Sequence, residues 1–121
     1  DAVTHTVMDA ILGAMGRGDI GELFPDTDEK YKGISSIVLL EEVAAIMDQE
    51  QFVIGNLDIT VMAQKPRLAP WKGPMRAKLA QVLDIAESQI NIKATTTEGL
   101  GFVGREEGIA CQAVVSLLQR R

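Results

Sequence analysis

A chain of 121 residues with 46% apolar and 24% charged side chains has the length and composition of one globular domain whose core needs no disulfides. A net charge of −5 excludes a broad nucleic-acid or anionic-membrane surface, so any phosphate ligand must be held by local donors. One cysteine (Cys111) and one histidine (His5) exclude an intrachain disulfide and a closed Cys/His zinc site.

Asp1 opens directly into helical periodicity, with no initiator Met and no leading strand, which reads as a domain lacking its N-terminal segment. Val3, Val7, Ile11, Leu12 and Met15 predict a helix over 2–15, with Asp1 as N-cap and Gly16 and Gly18 as stop signals. The stretch Gly18–Gly33, rich in Gly, Pro and Asp, predicts a long loop. Ser35 or Ser36 caps a second helix, with Ile37, Leu40, Ala44 and Met47 on one face and Glu41, Glu42 and Glu50 outside. After Gly55 and Asn56, alternation and β-branching over 57–64 predict a strand. Pro66, Pro70 and Pro74 punctuate the way to a third helix, which uses Met75, Leu79, Val82 and Leu83. Residues 90–95 alternate as a second strand. After a Gly-rich turn, Ile109, Ala113, Val114, Leu117 and Leu118 predict a final helix, with Cys111 as a small core residue in it.

The expected fold class is α/β (an α+β sandwich), helices packed on one face of a small mixed sheet. Two strands cannot cover so many helices, so a strand or hairpin ahead of Asp1 is expected to complete the sheet. Leu57, Ile59 and Val61, with Ile90, Ile92 and Ala94, suit the helix side. Asp58, Thr60 and Met62, with Asn91, Lys93 and Thr95, make a half-polar second face suited to an interior shared by identical subunits. No apolar stretch approaches the ~18 residues of a membrane span, and no signal or transit pattern is present, so the compartment reads as cytoplasmic.

Two stretches match G-x-G-x-x-G, Gly16/Gly18/Gly21 and Gly99/Gly101/Gly104. The first follows a helix, and no strand with an acidic ribose-binding residue follows the second, so neither has the context of a dinucleotide fold. Asp26-Thr27-Asp28 resembles the start of a calcium loop, but Lys30 and Tyr31 stand where an oxygen ligand and a Gly are required. His5 lies four residues from both Asp1 and Asp9, on one helical face. A lone helical His is usually a core or surface residue. The metal reading stands beside that one, because a carboxylate one turn away can hold the imidazole in its metal-binding tautomer, with further ligands from elsewhere. The stretch Thr95-Thr96-Thr97-Glu98-Gly99 ends a strand before a predicted helix. Its hydroxyls and backbone N–H groups can cradle phosphate oxygens, and Glu98 can hold a bridging magnesium. A capped turn with Thr chosen for β propensity fits the same residues.

At this stretch a family resemblance becomes specific. Lys93-Ala-Thr-Thr-Thr-Glu98, Leu100-Gly101-Phe102, Gly104-Arg105 and Glu107-Gly108-Ile109-Ala110-Cys111 resemble the signature of the 2-C-methyl-D-erythritol 2,4-cyclodiphosphate synthases. So do Asp1-x-x-x-His5, Asp9-Ala10, Gly18-Asp19-Ile20-Gly21-x-Leu23-Phe24-Pro25-Asp26-Thr27-Asp28, Lys32-Gly33, Gly55-Asn56-x-Asp58 and Ala63-Gln64-x-Pro66-Arg67, in order and over essentially the whole chain. The resemblance implies a lyase of non-mevalonate isoprenoid biosynthesis that converts 4-diphosphocytidyl-2-C-methyl-D-erythritol 2-phosphate to the 2,4-cyclodiphosphate with release of CMP. The substrate's own 2-phosphate attacks the β-phosphorus, so the enzyme's tasks are positioning and charge neutralisation.

The same resemblance implies divalent metals: zinc on His5 plus ligands upstream of this segment, and magnesium on Glu98 and the substrate phosphates. Thr96 is implied as the catalytic residue. Asp19, Ile20 and Gly21 are implied at the ribose, and Phe24, Pro25, Asp26, Thr27 and Asp28 on the methylerythritol side. Ala63, Gln64, Lys65, Pro66, Arg67, Leu68 and Ala69, with Thr95, Thr96 and Thr97, are implied around the cytidine and phosphates, and Glu98, Phe102 and Arg105 complete the binding set. The implied assembly is a homotrimer with active sites between subunits. The family's Asp-x-His zinc ligands and a His-Ser pair lie upstream of Asp1, and Trp71 stands where many relatives carry His. Two further readings are a nucleotide-binding or assembly-only module, and the cyclase part of a bifunctional chain that also makes the cytidylyl substrate.

Overall fold

The computed structural model describes residues 2–25, 35–64 and 69–120. Helix α1 (Ala2–Ala14) forms because Val3, Thr4, Val7, Met8, Ile11 and Leu12 make one buried stripe at helical spacing. It ends where Gly16 adopts φ +70° and the Arg17 N–H donates to Leu12 O at 2.8 Å, a glycine-terminated Schellman stop. A single turn, α2 (Ile20–Leu23), follows, capped by the Asp19 carboxylate, which accepts from Glu22 N. Ser35 caps α3 (Ser36–Gln49) through its hydroxyl, which accepts from Val38 N.

Strand β1 (Phe52–Met62) leads through a connection to α4 (Ala69–Leu83) and a 3₁₀ turn at Glu87–Gln89. Strand β2 (Ile90–Thr95), the single turn α5 (Gly101–Gly104) and strand β3 (Ala110–Gln119) close the chain. The sheet order is β2-β1-β3, with β1 parallel to β2 and antiparallel to β3. Leu57 lies opposite Ile90 and Val115, and Ile59 opposite Ile92 and Ala113, so one face of all three strands is apolar. That face packs with Val7, Met8, Ile11 and Leu12 of α1, Leu40 and Val43 of α3, and Leu79 and Leu83 of α4 in one core. Each such fully buried side chain contributes roughly 1.5–3 kcal/mol. The opposite face is open among the described residues, with Val114 72% and Leu118 59% exposed.

The helices lie on one face of a small mixed sheet, as the sequence predicts, but two elements differ. The expected final helix is strand β3, which gives the sheet a third strand from within 110–119. Cys111, Ala113, Val115 and Leu117 face the core, while Gln112, Val114, Ser116 and Leu118 face out. Apolar Val114 and Leu118 on the outer face blur the period of two and mimic a helical stripe. Cys111 is a half-buried strand residue rather than part of a helical core run. The first strand also starts at Phe52, five residues earlier than predicted, because Gly55 lies within it and not in a turn. A Cβ at Gly55 would come 2.8 Å from Ser116 Oγ, and the register between β1 and β3 shifts between Ile54 and Asn56. The stretch predicted as one loop from Gly18 contains α2, while residues 26–34 lie outside the described set, as do Asp1 and residues 65–68.

Candidate functional site

The connection from β2 to α5 is built by its own side chains. Thr95 Oγ1 donates to Thr96 O at 3.2 Å and Thr97 Oγ1 to Leu100 O at 2.6 Å, so both hydroxyl protons are committed to carbonyls. Thr96 Oγ1 differs: it accepts the Glu98 N–H at 3.2 Å, and among the described residues no acceptor takes its own proton. Glu98 is exposed and sits at φ +55°, followed by Gly99 at φ +83°. The chain then turns into α5, where buried Val103 anchors the turn and Phe102 is half exposed. A Cβ on Gly104 would overlap the Gly99 carbonyl and lie 2.6 Å from Gly99 Cα. The second glycine motif is thus a close backbone packing, and not a dinucleotide loop. The Arg105 guanidinium pairs with the Glu107 carboxylate.

Three backbone N–H groups of this loop have partners within the protein: Glu98 N–H goes to Thr96 Oγ1, Gly99 N–H to Gln64 Oε1 at 3.3 Å, and Leu100 N–H to Thr97 O at 3.1 Å. The helix beyond is only one turn long, so its dipole is small.

Ala63 and Gln64 join the same group. Ala63 N–H donates to Thr95 O at 3.0 Å just past the paired ends of β1 and β2, and Gln64 reaches the loop as described. Lys65, Pro66, Arg67 and Leu68 lie outside the described residues, and Ala69 opens α4. The structure therefore gathers Ala63, Gln64, Thr95, Thr96, Thr97, Glu98, Phe102 and Arg105 into one neighbourhood at the end of β1, β2 and α5.

A second group lies on α1 and α2. His5 is exposed, one turn from Asp9. The Asp9 carboxylate does not hold the imidazole in the way the spacing suggested; it accepts the Ile20 N–H at 2.9 Å and fastens α2 to α1. Asp19 caps α2, Gly21 lies within it, and Phe24 is buried in the core beside Pro25. Asp26, Thr27 and Asp28 lie outside the described residues.

The donors fit a metal singly: one exposed imidazole at His5 and one exposed carboxylate at Glu98. Among the described residues no group of three or more His, Cys, Asp or Glu could hold a metal ion. Neither donor closes a site alone.

Two polar features escaped the sequence reading. On the open sheet face Asp58 accepts from Asn91 at 3.0 Å and from Lys93 at 2.9 Å, and these bonds hold its carboxyl below the usual carboxylate range. The signal was strand register: Asp58 lies opposite Asn91, with Lys93 two residues on. Burial pushes the Cys111 thiol up, against a hydrogen bond with Thr6. A cavity of about 460 Å³ lies between the C-terminal ends of α3 and α4 and the start of β1, and is lined by none of these site residues.

A family model described as the YgbB family matches residues 1–118. The chain is 60% identical over 117 residues to the bifunctional enzyme IspD/IspF of Campylobacter concisus, covering 97% of this chain and 32% of that protein. It is 56% identical over 119 residues to the 2-C-methyl-D-erythritol 2,4-cyclodiphosphate synthase of Alkaliphilus metalliredigens, covering 98% of this chain and 75% of that protein. Among solved structures, the Plasmodium falciparum IspF CDP complex superposes with a TM-score of 0.88 at 35% identity, over 100% of this chain and 72% of that one. The chain thus spans about a third of the bifunctional relative and about three quarters of the shorter one.

Proposed function

The chain belongs to the YgbB family, that of the 2-C-methyl-D-erythritol 2,4-cyclodiphosphate synthases, and on that premise we propose that it carries their reaction. The 2-phosphate of 4-diphosphocytidyl-2-C-methyl-D-erythritol 2-phosphate forms a bond to the β-phosphorus. The bond from that phosphorus to the CMP oxygen breaks, and CMP leaves as the 2,4-cyclodiphosphate closes. This is a lyase step of non-mevalonate isoprenoid biosynthesis. It needs no protein nucleophile, only donors placed where charge moves between phosphate oxygens.

The observation that carries the residue assignment is the hydroxyl pattern. Of three consecutive threonines, Thr96 is the one whose hydroxyl only accepts among the described residues, which leaves its proton to give to a phosphate oxygen. Thr95 and Thr97 shape the loop, and Glu98 offers an exposed carboxylate beside Thr96. A divalent metal accords with the family. Glu98 would hold magnesium and His5 zinc as one donor each, the other ligands coming from substrate, water or residues outside the described set, and the cations would supply positive charge to the diphosphate. Residues 1–121 act as one cyclase domain. The Plasmodium falciparum relative forms a CDP complex, which supports a cytidine diphosphate ligand at Ala63 and the 65–69 segment here. The open sheet face supports a homotrimer with sites between subunits. No helix among the described residues is long and apolar enough to cross a membrane, which accords with a cytoplasmic enzyme.

Release of CMP from the natural substrate tests the assignment. Thr96→Val lowers turnover by about 10²–10³-fold, as loss of one transition-state donor does, while Thr96→Ser keeps most of it. Full release by Thr96→Val removes Thr96 from the site. The 60% identity to a bifunctional enzyme favours a second reading, the cyclase part of a longer chain, which the mass of the natural gene product decides.

A further inference from the structure

Gln64 follows β1, and its side-chain oxygen accepts the Gly99 N–H at 3.3 Å from a separate segment of the chain. We propose that Gln64 is a positioning residue for the reaction, one that fixes the Thr96–Glu98 loop to the end of β1, and not a contact to substrate. The inference rests on the cyclase reading above.

Glu98 and Gly99 occupy two consecutive left-handed positions, at φ +55° and +83°. Glycine adopts that conformation freely; a glutamate resists it, because its Cβ crowds the following carbonyl. Such a residue persists only where its surroundings determine it. Three contacts do so here. Thr96 Oγ1 takes the Glu98 N–H, Gly104 lets its backbone pack against Gly99, and Gln64 takes the Gly99 N–H. The first two lie within the loop and the turn it enters. Among the described residues it is Gln64 that ties the turn to the segment following β1, and Ala63 N–H to Thr95 O secures the root of the same junction.

The brace sits at an exposed turn, so its loss leaves Gly99 N–H to water and costs the fold little. It acts on the placement of the Thr96 hydroxyl and Glu98 carboxylate, and misplacement of such groups lowers turnover without weakening ground-state binding. Ala63 and Gln64 at the end of β1 and the Thr96–Glu98 loop are thereby held together.

The natural full chain is compared with Gln64→Leu, which removes the acceptor, and Gln64→Glu, which keeps one. CMP release and hydrogen exchange at the Gly99 amide are measured in each. Gln64→Leu lowers kcat about 10- to 100-fold with KM held within about 3-fold, and Gly99 exchanges about 10-fold faster at an unchanged thermal midpoint. Gln64→Glu restores both. A raised KM at unchanged kcat makes Gln64 a substrate contact and overturns the inference. Unchanged Gly99 exchange in Gln64→Leu, or no recovery in Gln64→Glu, overturns it as well. A parent that releases no CMP brings down the cyclase reading itself, and that result is read before any variant is compared.

Discussion

A methyl group on Gly104 would overlap the Gly99 backbone, and neither partner is a side chain that can swing away. Gly104→Ala therefore has to open the turn, at about 1–3 kcal/mol of strain, and to displace Glu98 and Thr96 with it. CMP release should fall more steeply than the denaturation midpoint; a variant with parental turnover would show the contact to be dispensable. Glu98→Gln keeps the turn and removes the charge available to a cation, so its fold should stay intact while turnover at ordinary magnesium drops by about 10²-fold or more. Asp58 titrates without entering the chemistry. Its carboxyl, held below its ordinary 3.8 by Lys93 and Asn91, adds stability above that pH, and this is lost as pH falls through the lower folded value. The stability gap between the parent and Asp58→Asn should be constant from about pH 5 to 8 and close below about pH 4; a gap undiminished at pH 2 would exclude the charge as its source. The residue types of the site were legible in the chain, since Thr-Thr-Thr-Glu-Gly names the donors. Which threonine keeps its proton was not, because that depends on where Leu100 and the Glu98 amide fall once the loop turns.

Helix α1, the cap at Ser35 and strand β2 could be read from spacing because each has one buried face and one wet face. Strand β3 could not. Its outer face carries Val114 and Leu118, and an element apolar on both sides has no period to read. Gly55 misled for a related reason: it marks a close approach to Ser116 inside a strand, where glycine more often marks a turn. Gly13 is the contrasting case. It lies in α1, a Cβ added there would meet nothing within 4 Å, and its φ is not left-handed. Gly13→Ala should raise stability by about 0.5–1 kcal/mol through lower backbone entropy in the unfolded chain, measured by urea denaturation. A loss of stability would mean that this surface of α1 is covered by another chain.

For the molecule as a whole, the described residues leave the outer sheet face uncovered. Val114 lies opposite Asp58 of the Asp58–Lys93 pair, and Leu118 is exposed further along the same face, a mixture suited to an interior shared between copies. The parent should scatter light at micromolar concentration as three times its 13.1 kDa chain mass. Val114→Asp should reduce that mass while the monomer's helical signal persists, and an unchanged assembly would place the interface elsewhere. Mixing His5→Ala and Thr96→Ala chains should restore part of the activity if each site joins two subunits, since some junctions then carry neither lesion.

The sheet order β2-β1-β3 has a consequence for how the chain reaches this state. No two neighbouring strands are joined by a hairpin: β1 waits for β2 across the whole of α4, and for β3 across α4, β2 and α5. Every ladder must therefore close a long loop before any of its bonds form, and a search dominated by distant partners is slow. The helices can flicker early, but the turn bearing Thr96 and Glu98 has nothing to rest on until the ends of β1 and β2 have met. The chemistry of this domain is among the last things its folding makes, and a chain caught midway exposes β1 as an unpaired apolar edge, the segment on which aggregation during synthesis would begin.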